Sequence, residues 1–155
     1  MRRAVVDTNV WVSALLSPTG GPGRVLEALE AGEFIFVTSE PLLAELAEVL
    51  RRPRIARKYL LTDSGVDAFV SRLRRRAILM PVSGAVHLCR DPDDDLVIET
   101  AAVGQANVLV TRDDDLKGDP ELVRLLRAAG LDVLSVRRFL AELDDPAAGL
   151  PHTRD

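Results

Sequence analysis

Arg3-Ala4-Val5-Val6-Asp7-Thr8-Asn9 is a short apolar strand that runs directly into a carboxylate. A strand of this kind suits an open α/β sheet. Its last residue then stands at the carboxyl edge, where such sheets assemble their sites. Asp7 is therefore the first candidate functional residue.

Downstream, Thr8 to Leu16 reads as a short helix with Val10, Val12, Ala14, Leu15 and Leu16 apolar. Ser17-Pro18-Thr19-Gly20-Gly21-Pro22-Gly23 follows with turn chemistry. The cluster has neither the Lys-Ser/Thr of a phosphate loop nor the spacing of a dinucleotide fingerprint, so a plain mobile loop is expected. Val25, Leu26 and Leu29 recur at helical spacing up to Gly32, and Phe34 to Val37 suits a second strand. Strand, helix, strand points to parallel pairing.

Thr38 or Ser39 can cap the next helix, with Pro41 in its first turn and Leu42, Leu43, Leu46, Val49 and Leu50 as its buried stripe. Glu45 and Glu48 sit among those apolar residues. Arg51-Arg52-Pro53-Arg54 ends that helix, and Thr62 or Asp63 caps another that carries Val66, Phe69, Val70 and Leu73. This second helix ends in Arg72, Arg74, Arg75 and Arg76, which the helix dipole favours. Arg51, Arg52, Arg54 and Arg75 are read as a solvated face or, alternatively, as contacts to RNA phosphates or a partner protein.

Ile78 to Val82 suits a strand, and Asp91, Asp93, Asp94 and Asp95 open directly into a helix from Leu96 to Val103. One aspartate at a helix start needs no more than capping. Four within five residues repel one another, and a bound cation relieves that repulsion. Val108 to Thr111 is a compact strand followed by Arg112-Asp113-Asp114-Asp115, which repeats the pattern of the amino terminus. A helix from Pro120 to Ala129, a strand from Leu131 to Leu134 and a helix from Val136 to Leu143 complete the series. The alternation predicts an α/β/α sandwich with helices on both faces of a mainly parallel sheet of four or five strands and right-handed connections.

With 155 residues, 47 % apolar and 28 % charged, the chain supports one packed domain, expected over 1–145, with a frayed tail at 146–155. A net charge of −4 argues against a protein held to nucleic acid by an overall basic surface, although nucleic acid remains open as a substrate. Cys89 is the single cysteine, which precludes an internal disulfide, and beside His87 and His152 it cannot build a zinc site. Asp7 and Asn9 interrupt any secretory signal, and no span of about twenty apolar residues is present to cross a membrane. A reducing, cytoplasmic setting is expected.

In a parallel sheet the strand ends and the helix starts that follow them share one edge. Asp7 and Asp113 from strand ends, Asp94 or Asp95 from a helix start and Glu45 from a helix face can therefore converge. Oxygen donors without His or Cys suit Mg²⁺ or Mn²⁺. Such an ion stabilises charge on a phosphoryl oxygen and activates water, so phosphodiester hydrolysis is the expected chemistry.

Four stretches carry a resemblance: Val-Val-Asp-Thr-Asn-Val-Trp-Val-Ser-Ala-Leu from Val5, Ser-Glu-Pro-Leu-Leu-Ala-Glu-Leu-Ala-Glu-Val-Leu-Arg-Arg-Pro-Arg from Ser39, Asp-Pro-Asp-Asp-Asp-Leu-Val-Ile-Glu-Thr-Ala from Asp91 and Val-Leu-Val-Thr-Arg-Asp-Asp-Asp-Leu from Val108. In this order, over about residues 3 to 143, the chain resembles the PIN-domain ribonucleases. It is most similar to the bacterial VapC-like branch, the toxins of toxin-antitoxin pairs.

The resemblance implies a PIN-like fold and a metal-dependent endoribonuclease in which Asp7, Glu45, Asp94 and Asp113 are the catalytic and metal-holding acids. Asp95 and Asp115 are implied as second-tier ligands, with Thr8, Asn9 and Thr111 assisting by hydrogen bonding. It also implies an RNA substrate, a small antitoxin protein as partner and a homodimer. A phosphatase with an aspartyl nucleophile requires a second Asp two places after the first, where this chain has Asn9. The remaining alternative is a PIN-like module that binds RNA or protein without cutting.

Overall fold

The computed structural model describes residues 1–87, 92–112 and 120–145, with the side chains of Pro92 and Asp93 excepted. Five strands, β1 (Arg3–Val6), β2 (Ile35–Thr38), β3 (Ala77–Leu79), β4 (Val108–Thr111) and β5 (Asp132–Ser135), form one sheet in the order β3-β2-β1-β4-β5. Every pairing is parallel, with Ala4 opposite Phe36, Val5 opposite Leu109 and Val110 opposite Leu134. The predicted α/β/α architecture is the one found.

Between β1 and β2 lie α1 (Thr8–Leu16) and α2 (Gly21–Glu30); between β2 and β3 lie α3 (Glu40–Arg51), α4 (Pro53–Lys58) and α5 (Asp63–Arg76). On the other side of β1, α6 (Pro92–Val103) precedes β4 and α7 (Pro120–Ala128) precedes β5, after which comes α8 (Val136–Asp144). The pleat divides the strand side chains between two cores. Ala4, Val6, Phe36, Val108, Val110 and Leu134 face α1, α2, α3, α5 and α8. Val5, Val37, Leu109 and Val133 face Val97 and Ala101 of α6 and Val123 and Leu126 of α7. The sheet is thus covered on both sides, as parallel sheets require.

Trp11 is buried in the first core, its ring edge-on to Phe36 with centroids 5.2 Å apart at 71°. It serves packing. His87 is exposed, and Cys89, His152 and the tail 146–155 lie outside the described residues.

Three local expectations are corrected. The glycine cluster does not remain a loop through Gly23, because α2 begins at Gly21 with proline in its first turn. Proline there lacks only an N–H that would be unsatisfied anyway and holds a helical φ. Gly23 lies inside the helix, and only glycine fits there because a Cβ would stand 1.9 Å from the carbonyl oxygen of Pro18. The region after Arg52 contains α4, and β3 starts at Ala77 and stops at Leu79 instead of running from Ile78 to Val82.

No described helix is long and apolar enough to cross a membrane.

Candidate active site

The strand order places β1 between two neighbours reached in opposite directions, and the crevice for a ligand in an open α/β sheet forms outside the carboxyl ends at that reversal. Asp7 stands there. Its amide donates to the carbonyl oxygen of Val110 at 2.9 Å, which extends the β1–β4 ladder by one residue and fixes Asp7 beside the end of β4. The carboxylate caps α1, accepting from the amide of Asn9 at 3.3 Å. Asp7 is half-buried, Asn9 is exposed and Thr111, at the end of β4, is buried.

Glu45 reaches the same edge from α3. Thr8, only 5 % exposed, donates a long hydrogen bond of 3.4 Å from Oγ1 to Glu45 Oε2. Adjacent residues of one turn thus hold both acids: Asp7 by its backbone, Glu45 through the Thr8 hydroxyl. Glu45 is half-buried, whereas Glu48 is exposed and pairs with Arg52.

The third turn of α6 is tied to the start of α3 by two hydroxyls. Ser39, the residue before α3, lies 2.9 Å from Thr100 Oγ1, and Thr100 donates to the carbonyl oxygen of Leu96 at 2.7 Å. A hydroxyl has one proton, so Ser39 is the donor in the first bond. Both side chains are fully buried, which makes the bond costly to lose. The first turn of α6 carries Asp94, which is exposed, and Asp95, which is 7 % exposed. Asp113 and Asp115 lie outside the described residues.

Sequence reasoning missed Glu99. It is 6 % exposed and accepts from the amides of Ser83, Gly84 (2.9 Å) and Ala85 (3.1 Å) and from the Ser83 hydroxyl. The backbone amide of Ser83 is foremost in holding its carboxyl below the usual carboxylate range. This cradle clamps the segment after β3 onto α6 and so contributes to where the α6 aspartates stand. The only clue in sequence is a charge between Ile98 and Thr100 in an otherwise apolar run.

A lowered carboxylate pKa supports stability above the unfolded value, and that support drains away as pH falls below about 4.5 through the folded value. Glu99→Gln is therefore expected to lower the melting temperature at pH 7 by several degrees, on the order of 3–8 °C. The gap to wild type narrows below pH 4.5, and thermal melts across the acid range measure it. A gap that is constant with pH would contradict the clamp.

The basic residues divide. Arg51 is held by Asp63 (3.3 Å) and Asp67, and Arg52 by Glu48 (3.5 Å). Arg74 grips Glu40 with both nitrogens, at 2.9 and 3.0 Å, and Arg72 pairs with Glu30. The Arg51 and Arg74 pairs fasten α3 to α5 and the Arg72 pair fastens α5 to α2, whereas Arg52 pairs with Glu48 one turn back at the end of α3. Arg54 and Arg75 are exposed.

Every candidate donor at the edge is a carboxylate oxygen, a set that fits a hard divalent cation and not zinc. Among the described residues no three His, Cys, Asp or Glu side chains are close enough to hold an ion. Thr8, next to Asp7, holds Glu45, and α6 is tied to the start of α3 through Ser39 and Thr100.

A PIN domain family model matches residues 3–115. The chain is also 30 % identical over 114 residues to an uncharacterized protein of Methanocaldococcus jannaschii, covering 74 % of this chain and 72 % of that protein.

Proposed function

Because the chain belongs to the PIN-domain family, whose members are generally nucleases that use divalent metal ions, we propose that it is a metal-dependent endoribonuclease. The observation that supports this most is the joining of Asp7 and Glu45 by the Thr8 hydroxyl at the carboxyl edge where the strand order reverses. In this reading Asp7, Glu45, Asp94 and Asp113 would hold Mg²⁺ or Mn²⁺, with Asp95 and Asp115 supporting. The exposed Asp94 is the more accessible of the α6 pair to an ion arriving from solvent.

When bound, the ion supplies charge stabilisation at the phosphoryl oxygens and a lowered pKa for attacking water. The chain's own residues do the rest. Thr8 restrains Glu45, and the Asn9 amide restrains Asp7, so the acids do not have to be ordered during the reaction. Water attacks phosphorus, the phosphodiester P–O bond breaks, and the proton that water releases passes by way of a carboxylate of the cluster to the departing oxygen, which leaves as a hydroxyl. No Ser, Cys or His nucleophile is needed.

The finer reading is the toxin of a toxin-antitoxin pair, a homodimer neutralised by a small antitoxin protein, with the four stretches that resemble the VapC-like branch as its support.

Single-stranded RNA incubated with the purified protein and Mn²⁺ is expected to be cut internally. EDTA is expected to stop cleavage and added Mn²⁺ to restore it. Undiminished cutting in EDTA, or none with either ion while RNA still binds, would overturn the reading, the latter in favour of a silent binding module.

A further inference from the structure

Two close contacts between α6 and β2 set the height of the helix against the sheet. At the lower one, a Cβ on Gly104, the residue after α6, would stand 2.2 Å from Val37 Cγ1 and 3.1 Å from Met80 Cγ. The end of the helix therefore lies on the middle of β2 with no room for a side chain. Arg3, at the start of β1, grips the same point, donating from Nε and Nη2 to the Gly104 carbonyl oxygen at 3.1 and 2.7 Å. At the upper contact Thr100 Oγ1 accepts from Ser39 at 2.9 Å, and Ser39 is the extended residue just past the end of β2.

Thr100 and Gly104 are separated by about 6 Å along a helix, and Ser39 and Val37 by about 7 Å along an extended chain. The two spans match, so α6 runs antiparallel to β2 with Thr100 level with the carboxyl edge of the sheet. The turns before Thr100 then project beyond that edge. Asp95 and Asp94 stand about 7–9 Å further along the helix than Thr100. Ser39 also starts α3, the helix that carries Glu45. One hydrogen bond thus joins the turn from which the α6 acids rise to the turn from which α3 departs.

The rest of the α6 contact with the sheet is apolar, through Val97 and Ala101, and apolar packing is non-directional. It seals the interface without choosing a height. The hydroxyl pair does choose one. Thr100 gives its proton to the Leu96 carbonyl oxygen at 2.7 Å, which orients Oγ1 as the acceptor for Ser39. Both residues are 0 % exposed, so no water replaces a lost partner.

We propose that Ser39 and Thr100 are positioning residues of the metal site, a role that presupposes the metal-dependent reading above. Their hydroxyl pair sets how far α6 projects over the edge, and with it the separation of Asp94 and Asp95 from Glu45. Neither residue touches the ion or the RNA.

The test measures Mn²⁺ binding to the full chain by isothermal titration calorimetry without RNA. Thr100→Val keeps the shape of the side chain and deletes the hydroxyl. It is expected to weaken Mn²⁺ affinity about tenfold or more, the scale on which residues that orient metal ligands act. Ser39→Ala should do the same, and the double variant should lose little more than either, because both remove one bond. Thr100→Ser, which keeps the hydroxyl, should stay within about threefold of wild type. In saturating Mn²⁺, Thr100→Val should lower kcat about tenfold or more while the KM for RNA stays within about twofold. Val66→Ala, a core truncation in α5, should lower the melting temperature and leave Mn²⁺ affinity unchanged, which separates positioning from lost stability.

Unchanged Mn²⁺ affinity in Thr100→Val and Ser39→Ala, in a protein that cuts RNA, would overturn the positioning role and leave the nuclease reading standing. An equal loss in Thr100→Ser or in Val66→Ala would also overturn it. If both hydroxyl deletions weaken Mn²⁺ binding as expected but wild type cuts no RNA, the positioning role stands and the nuclease reading falls.

Discussion

Asp7→Asn is expected to slow RNA cleavage by roughly 10²–10³-fold, equivalent to about 3–4 kcal/mol of transition-state stabilisation. Asparagine keeps the shape of the side chain and its Oδ1, so it still accepts from the Asn9 amide. Asn and Asp cap helices about equally well. The backbone bond from residue 7 to Val110 is also untouched. What disappears is one negative charge at the place where charge must balance a cation. The melting temperature without metal should therefore stay within a few degrees of wild type, or rise slightly as repulsion among the acids is relieved. Parallel thermal melts and single-turnover cleavage separate the two effects. A variant that retains wild-type cleavage would remove Asp7 from the chemistry.

The second large effect is on stability. Phe36 is 1 % exposed at the centre of the first core, on β2 beside β1, and its ring meets Trp11 edge to face at 5.2 Å. Phe36→Ala deletes the aromatic pairing and leaves a cavity, at a cost of about 3–5 kcal/mol. That is a large share of the roughly 5–15 kcal/mol that holds a domain together. Urea denaturation should show a midpoint shifted down with its slope unchanged, and the melting temperature should drop by about 10 °C or more. Trp11 sits on α1, whose first turn is capped by Asp7. Cleavage below the melting transition should therefore also fall, as removal of the ring loosens the helix that positions the acid. Phe36→Leu, which keeps most of the volume, is expected to cost less than about 2 kcal/mol.

Much of this architecture is legible in the residues. β1, β2 and β4 are compact apolar runs bounded by turn or capping residues, and the stripe Leu42, Leu43, Leu46, Leu50 marks the buried side of α3. Capping by Thr62 at α5 and the proline start of α3 are likewise readable, because those signals are local. The misses have a different character. α4 has six residues, none of them buried, so no apolar period announces it. The helix start at Gly21 is hidden because Gly and Pro signal loops in most contexts, and only the approach of Gly23 to Pro18 shows why glycine is required.

At the site, Asp7 and Glu45 can be picked out as candidates, but the bridge to Glu45 from Thr8 spans 37 positions and no spacing rule reveals it. Glu99 looks like a stray charge until Ser83, Gly84 and Ala85 are seen to turn their amides on it. The Ser39–Thr100 bond arises only when distant segments fold together. Asp94 and Asp95 are adjacent in sequence, and their exposure is what distinguishes them.

The proposed function requires that the carboxylates at the β1 edge form a site for a hard divalent cation. It is tested most directly by the melting temperature of wild type and of Asp7→Asn as Mn²⁺ is titrated in. Ligand that binds only the folded state at a hundred times its Kd stabilises by about 2.7 kcal/mol, which for a chain of this size is roughly 5–11 °C. Wild type is expected to show that saturable rise and Asp7→Asn to show little or none. Equal shifts in both proteins, or no shift in wild type at millimolar Mn²⁺, would contradict the claim.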